Sequence, residues 1–201
     1  MSIDRKFFYD TVRNSLFGGK LEAHQVHGID AIINEWERDT SNTDRRRLAY
    51  MLATVYHECA QTMQPIVERG QRAYFVKYDP GTKLGRQLGN TVAGDGYKYR
   101  GRGFVQLTGR ANYKKAGEKL VIDLLNDPDA ALDLPVATKI MFAGMAAGWF
   151  TGKKLGDYFA QDKKADWVNA RRIINGVDKA VTIADYANKF YAAIKVKEVI
   201  S

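Results

Sequence analysis

The chain has 201 residues, of which 45% are hydrophobic and 27% are charged. These fractions are ordinary for a folded domain, and they exclude a disordered chain, a collagen-like fibre and a coiled coil. Lysine and arginine number 31 against 23 aspartates and glutamates, which gives a formal net charge of +8. A basic chain favours a polyanionic partner, such as nucleic acid, an anionic membrane face or an acidic wall polymer, and charge alone does not choose among them.

Cysteine content and the apolar runs favour a soluble chain made in a reducing compartment. Cys59 is the only cysteine, so an intrachain disulfide is excluded and the fold must depend on packing. Charged residues interrupt the first ten positions, and we therefore expect no secretory signal. The longest apolar run covers residues 140–150, well short of the roughly 20 residues that a membrane span needs, and it predicts a core helix.

Hydrophobic spacing predicts helices over most of the chain. The predicted helices cover residues 4–16, 23–37, 44–62, 111–120, 135–150, 166–174 and 181–197. Segment 64–103 differs, because it contains two prolines and eight glycines and has no helical period. So long an irregular segment usually has a function. The sequence therefore predicts a mainly α, single domain over residues 1–201, with a loop-rich central segment that forms a cleft.

Two patterns that would indicate a metal or a cofactor are incomplete. His57-Glu58 begins like the helix of a zinc protease, but Gln61 stands where the second histidine ligand should be. The glycine pairs within 94–96 and 101–103 do not continue as a dinucleotide-binding fingerprint. We therefore expect neither a metal nor a cofactor.

Glu58 and Glu68 are the candidate acid and base. Glu58 lies three residues after Val55 on the apolar stripe of the third predicted helix, where desolvation would raise its pKa and suit a general acid. An ion pair with an arginine explains this position equally well. Pro65 should end the helix, so that Glu68 can face Glu58 across the cleft, as in an inverting glycosidase. On spacing alone, a local pair between Glu68 and a nearby arginine is the simpler interpretation.

Residues 94–113 combine glycines, aromatics and short polar side chains. Tyr97 and Tyr99 offer flat faces for sugar rings, while Gln106, Thr108 and Asn112 could form hydrogen bonds to hydroxyls, N-acetyl groups or a water. A plain glycine-rich turn is an alternative. A nucleic-acid loop is another, because arginines stand among the aromatics.

Three segments carry a resemblance to a known family. HEC at 57–59, YRGRGFVQLTGRANY at 99–113 and IING at 173–176 resemble the family 19 glycoside hydrolases, and more narrowly the chitinase-like endolysins of bacteriophages and prophages. The resemblance covers roughly residues 48–176. It implies a lysozyme-like, mainly helical fold with a deep cleft, and metal-free inverting hydrolysis of β-1,4 bonds between N-acetylated amino sugars.

The resemblance also assigns roles to residues. It makes Glu58 the general acid, Glu68 the base that activates water, and Thr108 the hydroxyl that helps to hold this water. The substrate-binding candidates are Tyr99, Arg102, Gln106, Asn112, Tyr113 and Asn175. After IING the chain departs from the endolysin pattern, because Val177 and DKAVTIADY replace a glycine and an Asp-Arg pair. Arg171 or Arg172 is the candidate replacement for the family arginine.

The resulting prediction is an endolysin that cuts the glycan strands of peptidoglycan and lyses the host cell. We expect a monomer that is made in the host cytoplasm, acts in the periplasm after release, binds no nucleic acid, and uses basic residues on an anionic outer-membrane or wall surface. A chitinase acting on N-acetylglucosamine polymers and a non-catalytic wall-binding domain remain alternatives. A nucleic-acid binder fits the charge, but it does not explain a glutamate on an apolar stripe.

Overall fold

The computed structural model describes residues 2–39 and 43–197. They divide into two compact units. The first unit contains the described residues up to Met63 and those from Met145 onward, and the second contains Gln64–Gly144. The predicted single domain over residues 1–201 stays a prediction.

Helices dominate both units, which confirms the mainly α fold class. The first unit holds α1 (Arg5–Ser15), α2 (Ala23–Arg38), α3 (Arg45–Glu58), α9 (Leu155–Tyr158), a 3-10 turn at Asn169–Ile173 and α10 (Ala180–Ala193). The second holds β1 (Ile66–Val67), α4 (Arg72–Phe75), a 3-10 turn at Val76–Tyr78, α5 (Lys83–Gln87), α6 (Asp95–Lys98), β2 (Arg102–Gly103), α7 (Arg110–Leu120) and a 3-10 turn at Pro128–Leu132. Helix α8 (Leu134–Ala147) crosses the boundary between them. None of these helices, within the two described ranges, has the length and apolar character to cross a membrane.

The core of the first unit forms where α10 packs against α3. Ile183, Ala187 and Phe190 follow the helical period and are fully buried. The ring of Tyr56 on α3 lies 4.8 Å from the ring of Tyr186 and 6.0 Å from that of Phe190, measured between centroids. These contacts fix the C-terminal part of α3, where Glu58 lies.

Helix α3 ends at Glu58, four residues before the predicted end near residue 62. Ala60, Gln61 and Met63 all have positive φ values, of 48°, 66° and 55°. Residues other than glycine rarely adopt this left-handed conformation, and a residue in this conformation cannot continue a right-handed helix. Asp44 caps the N-terminus of α3, where its side chain accepts from the Arg46 amide at 3.0 Å.

The arginine run that opens α3 has a structural role. Arg45 donates to the Ile194 carbonyl at 3.0 Å, and Arg46 donates to the carbonyls of Ala160 and Lys163 at 2.8 and 2.9 Å. Arg47 donates to the Phe159 carbonyl at 3.1 Å. Cations at a helix N-terminus oppose the helix dipole, and here these carbonyl contacts offset that cost. The arginines of this run are therefore poor candidates for binding a wall surface.

Polar side chains order the loop-rich start of the second unit. Asp79 accepts from the amides of Gly94 and Gly96 at 3.1 and 2.9 Å. Asn90, only 6% exposed, donates to the Tyr78 carbonyl at 2.7 Å. Hydrogen bonds of this kind give loop backbone groups the partners that helices and sheets would otherwise supply. They explain how a segment without hydrophobic periodicity adopts a defined structure.

Asp95 is a buried carboxylate of the second unit that accepts four hydrogen bonds. It is 3% exposed and accepts from Arg110 Nε at 2.7 Å, Arg110 Nη2 at 2.8 Å, and the amides of Thr91 and Val92 at 2.8 and 3.0 Å. Burial opposes ionisation, but the hydrogen bonds from Arg110 and the two amides outweigh it and lower the pKa of Asp95 to about 2.

We expect Asp95→Asn to destabilise the protein in a pH-dependent way. The folded pKa of about 2 lies below the ordinary value of 3.8, so the carboxylate stabilises the fold above pH 4 and loses this effect as the pH falls towards 2. The loss at pH 7 should be about 2 kcal/mol of unfolding free energy. Denaturant unfolding at pH 7 and at pH 2.5 measures it, with the exposed Asp162→Asn as the control. A difference from wild type that does not shrink at low pH would contradict this account.

Candidate active site

Glu58 forms an ion pair with Arg171 in the first unit. Its Oε1 accepts from Arg171 Nη1 at 2.5 Å, and the side chains of Glu58 and Arg171 are 18% and 4% exposed. Arg171 lies on the 3-10 turn, where its Nε also donates to the Asp178 carbonyl at 3.1 Å. Glu58 is therefore largely buried, as its place on the apolar stripe predicts, and its partner is an arginine, which confirms the alternative interpretation, while its role as the acid stays a prediction. Of the two predicted candidates, Arg171 holds this position, whereas Arg172 is exposed.

Asn175 follows the same turn. Its amide donates to the Arg171 carbonyl at 3.0 Å, and its side-chain oxygen accepts from the Gly176 amide at 2.8 Å. The residue is exposed. The IING segment thus begins two residues after the arginine that holds Glu58, and substrate binding by Asn175 stays a prediction.

We expect Arg171→Met to lower the free energy of unfolding by about 2–3 kcal/mol, because it leaves the Glu58 carboxylate without its buried partner. Arg172→Met is the matched control, since it removes a neighbouring but exposed cation. Denaturant unfolding of both variants gives the comparison. Combining Arg171→Met with Glu58→Gln should cost less than the sum of the single changes. Equal effects of Arg171→Met and Arg172→Met would show that the ion pair does not stabilise the fold.

Glu68 follows β1 in the second unit and is held by two donors. Its Oε2 accepts from the Gly101 amide at 3.1 Å, and its Oε1 accepts from the Tyr78 hydroxyl at 3.2 Å. Burial, followed by the charge of Glu68, raises the pKa of Tyr78, so the phenol remains a donor. The local ion pair that spacing suggested is absent, because no cation within residues 43–197 forms a salt bridge with Glu68.

The polar residues of the QLTGRAN segment form a connected turn close to Glu68. Gln106, with φ of 52°, donates to the Ile66 carbonyl at 3.1 Å, Thr108 donates to the Gln106 carbonyl at 2.8 Å, and Asn112 donates to the Thr108 carbonyl at 2.7 Å. A Cβ at Gly101 would lie 2.8 Å from Gln106 Oε1 and 3.2 Å from Glu68 Oε2. A larger residue at position 101 would force the end of the Gln106 side chain to move, so glycine suits this close approach.

Three of the predicted substrate-binding residues belong instead to the core of the second unit. Tyr99 is 1% exposed and donates to the Leu125 carbonyl at 3.1 Å, and Tyr113 is fully buried with its ring 5.3 Å from that of Tyr99. Arg102 is 2% exposed and pairs with Asp129 at 2.7 Å. These side chains present almost no surface to a glycan, so their burial does not support the predicted contact with substrate, which stays a prediction.

His57 and Cys59 flank Glu58 without joining a reactive group. Burial lowers the pKa of His57, and burial followed by the charge of Glu58 raises the pKa of Cys59 to about 12. A thiol with a raised pKa is a poor nucleophile, and Cys59 is fully buried, so this cysteine is a structural residue. In the part of the chain that the structure describes, no three histidine, cysteine or acidic side chains gather as a metal-binding group.

Comparison with known families decides the family of the chain. The family model described as class I chitinase matches residues 34–158, more than half of the chain. The chain belongs to glycoside hydrolase family 19. The matched range of this family 19 protein contains Glu58, Glu68 and Thr108, and it ends before Arg171 and Asn175.

Individual relatives share shorter or more distant similarity with this family 19 protein. The inactive chitinase-like protein 1 of Hevea brasiliensis is 46% identical over 55 residues, which cover 27% of this chain and 16% of that protein. The acidic endochitinase of Petunia hybrida is 41% identical over 66 residues, which cover 33% and 21%. The chain thus spans about a fifth of the length of these relatives. A crystal structure of a bacterial family 19 chitinase matches with a TM-score of 0.59 and 22% identity over 96% of this chain and 95% of that one, and this match shows a shared fold.

Tyr78 is a site residue that the sequence did not indicate. It stands ten positions after Glu68, in a segment with no recognisable motif, and only the turn at Val76–Tyr78 brings its hydroxyl to the carboxylate. Arg171 was found because IING marked its neighbourhood. No comparable motif marked the surroundings of Tyr78.

Proposed function

We propose that this family 19 protein is an inverting glycosidase that hydrolyses β-1,4 bonds in the glycan strands of bacterial peptidoglycan. One observation supports the proposal most. In this family 19 chain, both candidate carboxylates accept hydrogen bonds from groups of the protein that fix their positions. Arg171 holds Glu58, while Tyr78 and the Gly101 amide hold Glu68. Fixed carboxylates of this kind suit acid–base catalysis, which depends on the position of the proton-transferring group.

In the proposed mechanism, Glu58 donates a proton to the leaving glycosidic oxygen, and Glu68 removes a proton from the water that attacks the anomeric carbon. The bond from that carbon to the leaving oxygen breaks as the bond to water forms, so the configuration inverts. Each Glu68 oxygen accepts one hydrogen bond from the protein and retains lone pairs that can accept from water. Thr108 and Gln106 lie on the turn beside Glu68 and are proposed to orient this water.

Peptidoglycan is the proposed substrate because the protein is strongly basic, with a formal net charge of +8. The exposed residues Lys153, Lys154, Lys163 and Lys164 contribute to this charge. Bacterial walls and outer membranes are anionic, whereas chitin is neutral, and attraction to an anionic surface raises the local enzyme concentration. The proposed setting is that of an endolysin, which is made in the host cytoplasm and reaches the wall in the periplasm after release.

Chitin is the second candidate substrate. The matching family model is described as class I chitinase, and one relative is named an acidic endochitinase. Both polymers contain N-acetylglucosamine, so the polar residues near Glu68 suit either one. Another relative is named an inactive chitinase-like protein, which makes activity itself the first question for an experiment.

The experiment that tests the proposal offers purified protein both permeabilised Gram-negative cells and colloidal chitin. We expect cell suspensions to clear, and mass spectrometry of the fragments to show newly formed reducing muramic acid ends. Reducing glucosamine ends would identify a glucosaminidase, and anhydro ends a transglycosylase that uses no water. Release of soluble oligosaccharides from chitin alone would establish the chitinase. Binding to walls without any cleavage would establish a wall-binding domain.

We expect wall hydrolysis to fall steeply with salt, because the exposed lysines attract the wall at long range. The Debye length falls from about 10 Å at 0.1 M salt to about 3 Å at 1 M. Changing Lys153, Lys154, Lys163 and Lys164 to glutamate should reproduce the salt effect on walls. Rates on a short neutral oligosaccharide should respond to neither change. Equal salt sensitivity on both substrates would contradict steering by surface charge.

A further inference from the structure

A cavity of about 830 Å³ lies within the second unit, and the proposed catalytic roles do not use it. None of Glu58, Glu68 and Thr108 lines it. Its walls come from α4, from the turn at Val76–Tyr78, and from α6 with the residues before and after it, and single residues of β2 and α7 and the start of the turn at Pro128–Leu132 complete them. A cavity of this volume is large enough for a ligand the size of a short peptide.

The walls carry more positive than negative charge. Five basic side chains line the cavity together with three aspartates. Two of the basic residues are neutralised, because Arg102 pairs with Asp129 and Arg110 pairs with Asp95, each at 2.7 Å. The third aspartate, Asp79, accepts from two backbone amides.

Arg72 and Arg100 are the two cavity arginines without a carboxylate partner among the described residues. Both stack on Tyr97, with guanidinium carbons 4.9 and 4.1 Å from the centre of its ring. Arg100 also donates to the Tyr97 carbonyl at 2.8 Å. Stacking on an aromatic ring restricts a guanidinium while leaving N–H groups in its plane free to bind a carboxylate in a bidentate manner.

Exposed aliphatic side chains complete the same cavity. Val76 and Val92 line it and are 55% and 56% exposed, so their methyl groups are accessible to a ligand in the cavity. Paired cationic and aliphatic groups complement a ligand that carries both carboxylates and small methyl groups. A chitin chain carries no carboxylate, whereas the stem peptide of peptidoglycan combines alanine methyls with several carboxylates.

We propose that this cavity binds the carboxylate-bearing stem peptide of peptidoglycan, with Arg72 and Arg100 as specificity-determining residues. The proposal rests on the proposed function, because it takes peptidoglycan as the substrate. The segment from Phe75 to Asp79 links the cavity to the base: Phe75 and Asp79 line the cavity, and Tyr78 between them donates to Glu68. A peptide bound here would therefore lie beside the turn that holds the catalytic carboxylate.

Calorimetric titration with a free stem tripeptide tests the binding directly. We expect wild type to bind the tripeptide, and Arg72→Gln/Arg100→Gln to bind it about tenfold more weakly or worse. A tripeptide with its carboxylates converted to amides should not bind wild type. Arg72→Gln alone provides a second variant, since this exposed side chain has little effect on folding. Lys115→Gln/Lys119→Gln is the control, because it removes the same charge from exposed positions of α7 outside the cavity.

Hydrolysis provides the second measurement. The rate on intact peptidoglycan, divided by the rate on glycan strands stripped of their peptides, should fall about tenfold in Arg72→Gln/Arg100→Gln and stay unchanged in the lysine control. Tripeptide binding that is absent in wild type, or equal in wild type and Arg72→Gln, would overturn the proposal. So would inorganic phosphate that binds more tightly than the tripeptide and competes with it, since that result points to a phosphate-bearing polymer.

The two proposals fail in different ways. Tripeptide binding does not require bond cleavage, so a protein that binds the tripeptide through Arg72 and Arg100 but cleaves no glycan would remove the proposed function and leave the peptide site. Cleavage of peptidoglycan with an unaltered rate ratio in Arg72→Gln/Arg100→Gln would remove the peptide site and leave the proposed function.

Discussion

Glu58→Gln is expected to lower the rate of glycan hydrolysis by about 10²–10⁴, because an amide cannot donate the proton that the leaving oxygen requires. The substitution preserves the shape of the side chain and an oxygen that can accept from Arg171. Rates of peptidoglycan hydrolysis, measured together with circular dichroism and thermal unfolding, separate lost catalysis from lost structure.

Glu35→Gln is the matched control for this substitution. Glu35 is also a helical glutamate with an arginine partner, because it pairs with Arg38 at 3.0 Å, and it has no proposed catalytic role. Its activity should match that of wild type. A Glu58→Gln variant that folds normally and still hydrolyses peptidoglycan at close to the wild-type rate would remove Glu58 from the proposed acid role.

Glu68→Gln should also lower the rate of glycan hydrolysis by a factor of about 10²–10⁴, because the attacking water loses its base. The donors from Tyr78 and Gly101 have an acceptor in the amide oxygen as well, so the local structure should change little. Thr108→Val should lower the rate less, because it removes a hydroxyl that helps to position the water and no charge.

Azide can replace the activated water in Glu68→Gln, since it needs no base. We therefore expect added azide to restore bond cleavage in Glu68→Gln and to leave Glu58→Gln inactive towards substrates with poor leaving groups. For wild type, NMR should show the α-anomer as the first product from a β-linked substrate. A β-anomer formed first would contradict inversion, and azide rescue of both variants alike would contradict the separate roles of the two glutamates.

Much of the secondary structure could be predicted because it follows from local hydrophobic spacing. Helices α1, α2, α7 and α10 lie within a few residues of their predicted bounds, since their buried faces repeat with the helical period. The end of α3 could not be predicted in this way. It depends on left-handed conformations at Ala60, Gln61 and Met63, residue types that give no local signal for a helix stop.

The candidate site also has one part that local sequence predicted and another that only the tertiary structure decided. Sequence motifs alone predicted the family, which the family match over residues 34–158 confirms, and they made Glu58 and Glu68 the candidate carboxylates. The tertiary structure decided which neighbours those groups have. Arg171 lies 113 positions after Glu58, and no local rule links the two.

The burial of individual side chains could not be predicted from the sequence. In the motif YRGRGFVQLTGRANY, aromatic and basic residues looked suited to sugar binding, yet Tyr99, Arg102 and Tyr113 form the core of the second unit. Composition and spacing determined that most of this segment forms neither a regular helix nor a regular strand, because its glycines and polar residues follow neither period. Which of its side chains point inward depends on packing between segments far apart in the chain, and only the folded structure decides that.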